Sequence, residues 1–270
     1  GYYNVAVGPL ALQFNNLGYY NTAIGTVALY QNTSGNFNTA NGVQSLHANT
    51  IGSNNVANGY NALASNLSGD NNTAIGASAG QSTQGAYTVA LGYTAGQITQ
   101  AINAVAIGNA AGNSNQQNDT IAIGSSAGND TQGIYSIALG VLAGLSTQQS
   151  NAIAIGVNAG QITQFARGIA IGDRAGYSNQ HYAAIGIGKS AGRNEQGEKS
   201  VAIGWHTGRD NQGSNAISIG SYAGETSQGI GSIAIGSNAG QNLQGNESVA
   251  IGTNAGYNQS TFSEIGRAHV

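Results

Sequence analysis

Few residues in this sequence are suited to catalysis or to holding a metal. Its 270 residues include no cysteine, four histidines, ten acidic and seven basic residues. A thiol nucleophile and a cysteine-based metal site are therefore excluded. His47, His181, His206 and His269 have no second histidine or paired carboxylate at metal-ligand spacing. We accordingly predict no metal site, no catalytic residue and no cofactor, and classify the chain as not an enzyme.

The charged residues support the same prediction. Six of the seven basic residues lie between Arg167 and Arg209, interspersed with acidic ones, and the net charge is −3. This mixture is typical of a solvated face and argues against a nucleic-acid partner. Gly188-Lys189-Ser190 ends like a phosphate-binding loop, but Ala183 stands where that motif needs its first glycine. A polysaccharide lyase or hydrolase would need clustered carboxylates, and no acid pair occurs in register.

Two groups of aromatic residues are candidates for ligand contact. Trp205 is the only tryptophan and is followed by His206, in a segment where Thr207 replaces a usual alanine. This pair is either a recognition site or a solvent-facing corner. Tyr19 and Tyr20 belong to an aromatic stripe near the N-terminus. That stripe is either a surface that binds sugar or protein, or a packing feature.

The chain that contains these candidates is built on a five-residue sequence motif, here called the phrase, which recurs along its whole length. One copy is residues 248–252, SVAIG, and others are residues 72–76, NTAIG, and 200–204, SVAIG. The final glycine of the phrase recurs at four steps of seventeen residues, from Gly8 to Gly76, and then at eleven steps of sixteen, to Gly252. A fixed period this short predicts stacked β-coils, because it is too short for paired helices.

The phrase predicts a strand with two unlike faces. Val249 and Ile251 share one face by the period of two, and Ala250 and Gly252 share the other. We predict that the bulky face fills the coil interior. The smooth face would then lie outside, where it admits another chain closely.

Amide side chains form two further columns. Glutamine recurs eight residues after the phrase glycine in eleven consecutive repeats, and asparagine recurs seven residues after it in the first block. The first column runs from Gln84 to Gln244, and the second comprises Asn15, Asn32, Asn49 and Asn66. Stacked amides hydrogen-bond along a column, so we predict that they satisfy backbone groups at a buried corner.

Together these features predict an all-β fold, a parallel β-solenoid of about sixteen coils. We assign residues 1–263 to one solenoid domain, with seventeen-residue units over 1–75 and sixteen-residue units over 76–263. Residues 264–270 break the pattern and are interpreted as a non-native tail. The chain opens inside a repeat, so we expect flanking segments to be missing from both ends.

The repeats resemble the head repeats of YadA-like trimeric autotransporter adhesins and related repeats of phage and viral tail fibres. The matching motif is Asn/Ser-Val/Thr-Ala-Ile-Gly-x-x-Ala, present as NTAIGTVA over 21–28 and as SIAIGSNA over 232–239. The resemblance implies a left-handed β-roll, a homotrimer and an adhesive function. It also implies an extracellular location, on an outer-membrane-anchored cell surface or on a virion, with membrane attachment only through flanking regions.

Our leading functional hypothesis is an extracellular fibre head or shaft that adheres to a host cell, a matrix or a glycan surface. A host surface protein or glycan would be the ligand. The alternative is a purely structural fibre, a filament or a phage or viral tail-fibre subunit. Ice binding is disfavoured, because Thr22, Thr39 and Thr73 begin a column that gives way to valine and isoleucine and should face inward.

Overall fold

The structure is a computed structural model that describes residues 1–258 and 265–266. The proposed tail, 264–270, falls outside the described residues except for the backbone of 265–266. Every regular element in the described part is a β-strand, and no helix there is long and apolar enough to span a membrane. The contacts divide the chain into two compact units, Gly1–Tyr135 and Ser136–Val270.

The first unit contains eight three-residue strands formed by the phrase and one shorter strand. In chain order they are β1 Val5–Val7, β2 Thr22–Ile24, β3 Thr39–Asn41, β4 Val56–Asn58, β5 Thr73–Ile75, β6 Val89–Leu91, β7 Val105–Ile107, β8 Ile121–Ile123 and the two-residue β9 Thr131–Gln132. Strands β1 to β8 pair in parallel, each with the next coil's phrase. Alanine therefore lies beside alanine, as Ala23 beside Ala40.

The second unit contains two parallel sheets. The phrase strands are β10 Ile137–Leu139, β12 Ile153–Ile155, β14 Ile169–Ile171, β16 Ile185–Ile187, β18 Val201–Ile203, β20 Ile217–Ile219, β22 Ile233–Ile235 and β23 Val249–Ile251, followed by β24 Ile265–Gly266. Between them lie β11 Thr147–Gln148, β13 Ile162–Gln164, β15 Ser178–Gln180, β17 Asn194–Gln196, β19 Asp210–Gln212 and β21 Thr226–Gln228. Each sheet pairs at an offset of sixteen residues, as in Ala154↔Ala170 and Gln164↔Gln180. The predicted all-β parallel solenoid is confirmed.

The prediction of which strand face is buried was wrong. In the second unit the central phrase residue is buried in every coil, with 0% exposure at Ala154 and Ala250, whereas Ile251 is 52% exposed. The aliphatic residues on either side of the central alanine point away from the coil. The small residues therefore line the interior, and the large ones form the outer surface.

The reason is that the glutamine column occupies the interior. Gln164 is fully buried, and its amide nitrogen donates to the carbonyls of Ile153 and Gly168 at 2.8 and 3.0 Å. It also lies 2.9 Å from Oε1 of Gln180 in the next coil. A Cβ at Gly160 would lie 2.7 Å from Oε1 of Gln164 and 3.2 Å from Cβ of Ala154. Small residues leave room for this side chain: alanine or glycine in most coils, and serine at Ser218.

The seventeen-residue coils fill the same interior differently. Leucine replaces glycine four residues after the phrase, and Leu29, Leu46 and Leu63 are fully buried although their φ angles are positive. The shorter asparagine then replaces glutamine, and Asn32 donates to Oδ1 of Asn15 at 2.7 Å. A larger hydrophobic residue is thus matched by a smaller amide.

The phrase glycine is required by the stacking of coils and not by another chain. Gly156 has a φ of 128°, which is costly for any other residue, and a Cβ there would lie 2.6 Å from the carbonyl oxygen of Gly172. Its amide donates to the Leu139 carbonyl at 2.8 Å. The close contact predicted for this glycine therefore lies between successive coils of one chain.

The narrow interior predicts that enlarging the central alanine unfolds the coil. We expect Ala154→Leu to destabilise the protein by about 3 kcal/mol or more, because the added carbons overlap the space of Gln164. Ile155→Leu, on the outer face, is the matched control and should change stability by less than about 1 kcal/mol. Chemical denaturation followed by circular dichroism measures both. Equal stability of the two variants would contradict the assignment of faces.

The amide column predicts a second effect. Gln164→Leu keeps the side-chain size but removes the hydrogen bonds to the Ile153 and Gly168 carbonyls and the donor to the buried Oε1 of Gln180, so we expect a loss of about 3 kcal/mol. Gln117→Leu is the control, because Gln117 is exposed. Thermal unfolding compares the two variants, and an unchanged midpoint for Gln164→Leu would show that the column does not stabilise the fold.

Candidate recognition surfaces

The outer face of the phrase strands is an apolar surface. In the second unit all the outward positions of β10, β12, β14, β16, β18, β20, β22 and β23 are isoleucine, leucine or valine, and all are partly or fully exposed. This stripe contains no charged residue. Contiguous exposed apolar surface of this kind marks an interaction site.

The same face is more polar in the first unit. Thr22, Thr39 and Thr73 lie on it, together with Asn41 and Asn58. The expectation that the threonine column faces inward was therefore wrong. The column nevertheless stops after a few coils and is replaced by aliphatic side chains, which favour an apolar partner over a regular array of hydroxyl groups.

The aromatic stripe near the N-terminus is a stacked column. The rings of Tyr3 and Tyr20 lie 5.0 Å apart and 7° from parallel, and those of Tyr20 and Phe37 lie 5.3 Å apart and 11° from parallel. Tyr19 contacts Tyr20 and Phe37 edge to face. Both faces of the Tyr20 ring are thus covered by neighbouring rings. The geometry favours the packing interpretation for Tyr20 and leaves only ring edges for a ligand.

Trp205 and His206 lie together at a corner of the second unit, and Tyr222 joins them. The Trp205 ring lies 4.7 Å from the rings of both His206 and Tyr222, edge to face in each case. The backbone sets this arrangement, since Tyr222 N–H donates to Trp205 O and His206 N–H donates to Lys189 O, each at 2.9 Å. Trp205 remains 45% exposed. The corner therefore presents a partly open indole.

Thr207, which replaces the usual alanine in this coil, belongs to the interior. It is fully buried, and its hydroxyl donates to the carbonyl of Ala223 at 3.0 Å. Its role is to satisfy a backbone acceptor. It contributes nothing to the exposed corner, although it helped to draw attention to this coil in the sequence.

An ion-pair network flanks the aromatic corner. Arg209 contacts carboxylate oxygens of Asp210 and Glu225 at 2.7 Å each, and Glu225 is buried. Gln241 donates to Glu225 at 2.6 Å, and Asn194 donates to Asp210 at 2.6 Å. The hydrogen bond to Asp210 raises the pKa of Arg209. The charge of Arg209 is thus compensated within this network.

Burial lowers the pKa of His206 below its ordinary value of 6.5, and the positive charge of Arg209 adds to this effect. Lys189 and Arg193 act in the same direction, whereas Glu225 opposes them. His206 is therefore neutral at pH 7. Arg209 of the same coil and Lys189 and Arg193 of the adjacent coil thus all lie near this imidazole.

The remaining described histidines pack against aromatic rings. His47 stacks on Tyr30 at 5.2 Å, and burial lowers its pKa. His181 stacks on Phe165 at 4.9 Å. Among residues 1–258 and 265–266 no three histidine or acidic side chains converge in a way that would hold a metal ion. His269 lies outside the described residues.

Sequence reasoning missed Tyr222 as a neighbour of Trp205, and it missed the three cations near His206, which are Lys189, Arg193 and Arg209. A signal was present, because Lys189 and Trp205 both follow the phrase glycine by one residue, and His206 and Tyr222 both follow it by two. In a parallel solenoid, residues at equal distance from that glycine lie in one column. Aligning the repeats by column would have brought these side chains together.

The charges around His206 give a testable result. Removing the nearby positive charge in Lys189→Gln should favour the protonated imidazole, so we expect the pKa of His206 to rise towards 6.5. Lys199→Gln removes an equal charge from another column and should leave it unchanged. An NMR titration of the histidine resonances measures the difference. A fall in the Lys189→Gln variant would contradict the observed arrangement of charges.

Comparison with known proteins adds no assignment. Neither a protein-family model nor a curated protein matches this chain. The function proposed below therefore rests on the fold, on the outer aliphatic face and on the corner around Trp205.

Proposed function

We propose that this chain is the head or shaft of an extracellular fibre, assembled from copies of itself, that attaches to a host cell, a matrix or a glycan surface. One observation carries the proposal: every outward position of the phrase strands in the second unit bears an aliphatic side chain that is partly or fully exposed. Burying one such side chain stabilises an assembly by about 1.5–3 kcal/mol. A stripe of them favours permanent association.

The partner that fits this stripe best is another copy of the chain. The outer side chains repeat once per coil, so a partner that contacts every coil must repeat with the same spacing. A second copy does so by construction. The stripe also lacks charged residues, so like faces approach one another without repulsion. The resemblance to trimeric fibre heads favours three copies.

Adhesion would be a property of the corners. The interior and the phrase are nearly constant from coil to coil, whereas the corner residues vary and include Trp205, Lys189 and Tyr222. A fibre that repeats these corners on each copy presents several identical sites, and simultaneous contact raises overall affinity well above that of one site. Its place would be the outside of a cell or of a virion.

A purely structural fibre or tail-fibre subunit is the second candidate. The same aliphatic face supports it, because assembly requires no ligand. The two candidates differ in whether the corners bind anything, and binding of the assembled protein to immobilised matrix proteins or glycans separates them. A fibre that assembles and binds none of these would be structural only.

Assembly itself is tested by mass. Light scattering of the purified chain should give the mass of three chains. A triple variant with lysine on the outer face should have the mass of a single chain, because three ammonium groups per chain would be buried in an apolar interface. Its substitutions are Ile155→Lys, Ile171→Lys and Ile187→Lys. Far-ultraviolet circular dichroism should show that the β-structure is retained.

Ile230→Lys is the matched control, because Ile230 is exposed but lies outside the phrase strands. It should leave the mass unchanged. A stable, folded single chain in the unmodified protein would refute self-assembly through this face. So would an assembly that survives the triple substitution.

A further inference from the structure

We propose that the corner formed by Trp205, Tyr222, Lys189 and Arg193 is a binding site for an acidic saccharide, one that carries carboxylate or sulfate groups on its sugar rings. This inference deepens the proposed adhesive function and rests on it for its biological meaning. The binding site itself is contained in one chain.

The apolar part of the site is the indole of Trp205. It is 45% exposed although it is the largest aromatic side chain of the protein. Tyr222 and His206 contact it edge to face and hold its orientation. A supported and partly open indole buries the C–H face of a sugar ring efficiently, since it loses little conformational freedom on binding. In the column near the N-terminus, by contrast, Tyr20 is stacked on both faces.

The charged part of the site is provided by cations that lack an acidic partner. Arg209 is neutralised by Asp210 and Glu225. In the described part of the chain, Lys189 forms no salt bridge and its side chain is exposed. The guanidinium of Arg193 lies 5.7 Å from the Tyr177 ring and forms no salt bridge with any described residue. Lys189 and Arg193 are thus the groups available to an anion.

Both cations lie in the one coil that precedes the coil of Trp205. The backbone carbonyl of Lys189 accepts a hydrogen bond from the backbone N–H of His206, the residue after Trp205. Lys189 is therefore adjacent to the coil that contains Trp205. Arg193 belongs to the same coil as Lys189, four residues further on. Both influence the pKa of His206, which contacts the indole. A ligand on Trp205 therefore has positive charge at its edge.

The acidic residues nearby distinguish an acidic saccharide from a nucleic acid. Asp173 lies beside Lys189 in the same column, and Asp210 and Glu225 adjoin Arg209. A nucleic-acid backbone carries a closely spaced row of phosphates and needs a continuous basic surface. Two free cations beside one indole suit a chain in which charged groups are separated by sugar rings.

The experiment is calorimetric titration of the full chain with three probes: a sulfated heparin hexasaccharide, a galacturonic acid hexasaccharide and a neutral maltohexaose. We expect binding of at least one acidic probe and none of the neutral one, and the stronger acidic probe identifies sulfate or carboxylate as the group recognised. Trp205→Ala should weaken that binding by about tenfold. Lys189→Gln and Arg193→Gln should each weaken it severalfold and reduce its dependence on salt.

The controls match each substitution elsewhere in the same unit. Lys199→Gln removes an equal charge, and Tyr182→Ala removes an exposed aromatic ring from another column. Both should bind as the unmodified protein does. Equal weakening by Lys199→Gln would show general attraction of polyanions and overturn the proposal. It would also be overturned if no probe bound, or if single-stranded DNA bound more tightly through Trp205 than either acidic saccharide.

The mass of the assembly and the binding of the saccharide probes distinguish failure of this inference from failure of the proposed function. Single chains that bind the acidic probe through Trp205 would refute self-assembly and retain the binding site. An assembly of three chains that binds none of the probes would retain the fibre and refute the site.

Discussion

The whole architecture depends on a narrow interior crossed by a buried amide side chain. In the sixteen-residue coils, the glutamine side chain lies between two small residues: the central alanine of the phrase and the glycine four residues after the end of the phrase. Gln164 lies in this way between Ala154 and Gly160. Its amide nitrogen donates to two backbone carbonyls and to Oε1 of the glutamine in the next coil, so the buried amide groups find their partners within the interior. Because such groups are costly to leave unpaired, glutamine, alanine and glycine are interdependent. The interior is held together by hydrogen bonds more than by large apolar side chains.

This interior explains the apolar outer surface. A strand alternates its side chains between two faces, so when alanine must face inward the two flanking residues must face outward. Those residues are isoleucine, leucine or valine in every coil of the second unit. The protein thus places its largest aliphatic groups where only another molecule can bury them. Assembly and folding are linked through the size of one interior residue.

Much of the fold was predictable, because the period, the strand and the parallel pairing follow from the regular return of the phrase glycine. The burial of the amide columns was also anticipated correctly. The error concerned the faces of the strand, since hydrophobicity alone suggests that Val249 and Ile251 are inside. At the candidate sites, Trp205 and His206 do lie together, whereas both faces of the Tyr20 ring are stacked against neighbouring rings. Tyr222 and Lys189 were missed because they are sixteen or more residues away in sequence from the residues they adjoin.

The sequence by itself determined the repeat, because each coil must close in sixteen or seventeen residues to stack in register on the last. It also determined where glycine is obligatory, since positive φ angles and coil-to-coil contacts such as that of Gly156 with Gly172 exclude a side chain. Only the tertiary structure decided which face is inside, because that depends on the distance between opposite walls of the coil and on what fills it. It likewise decided which corner residues meet, since neighbours across coils are set by stacking and not by adjacency in the chain.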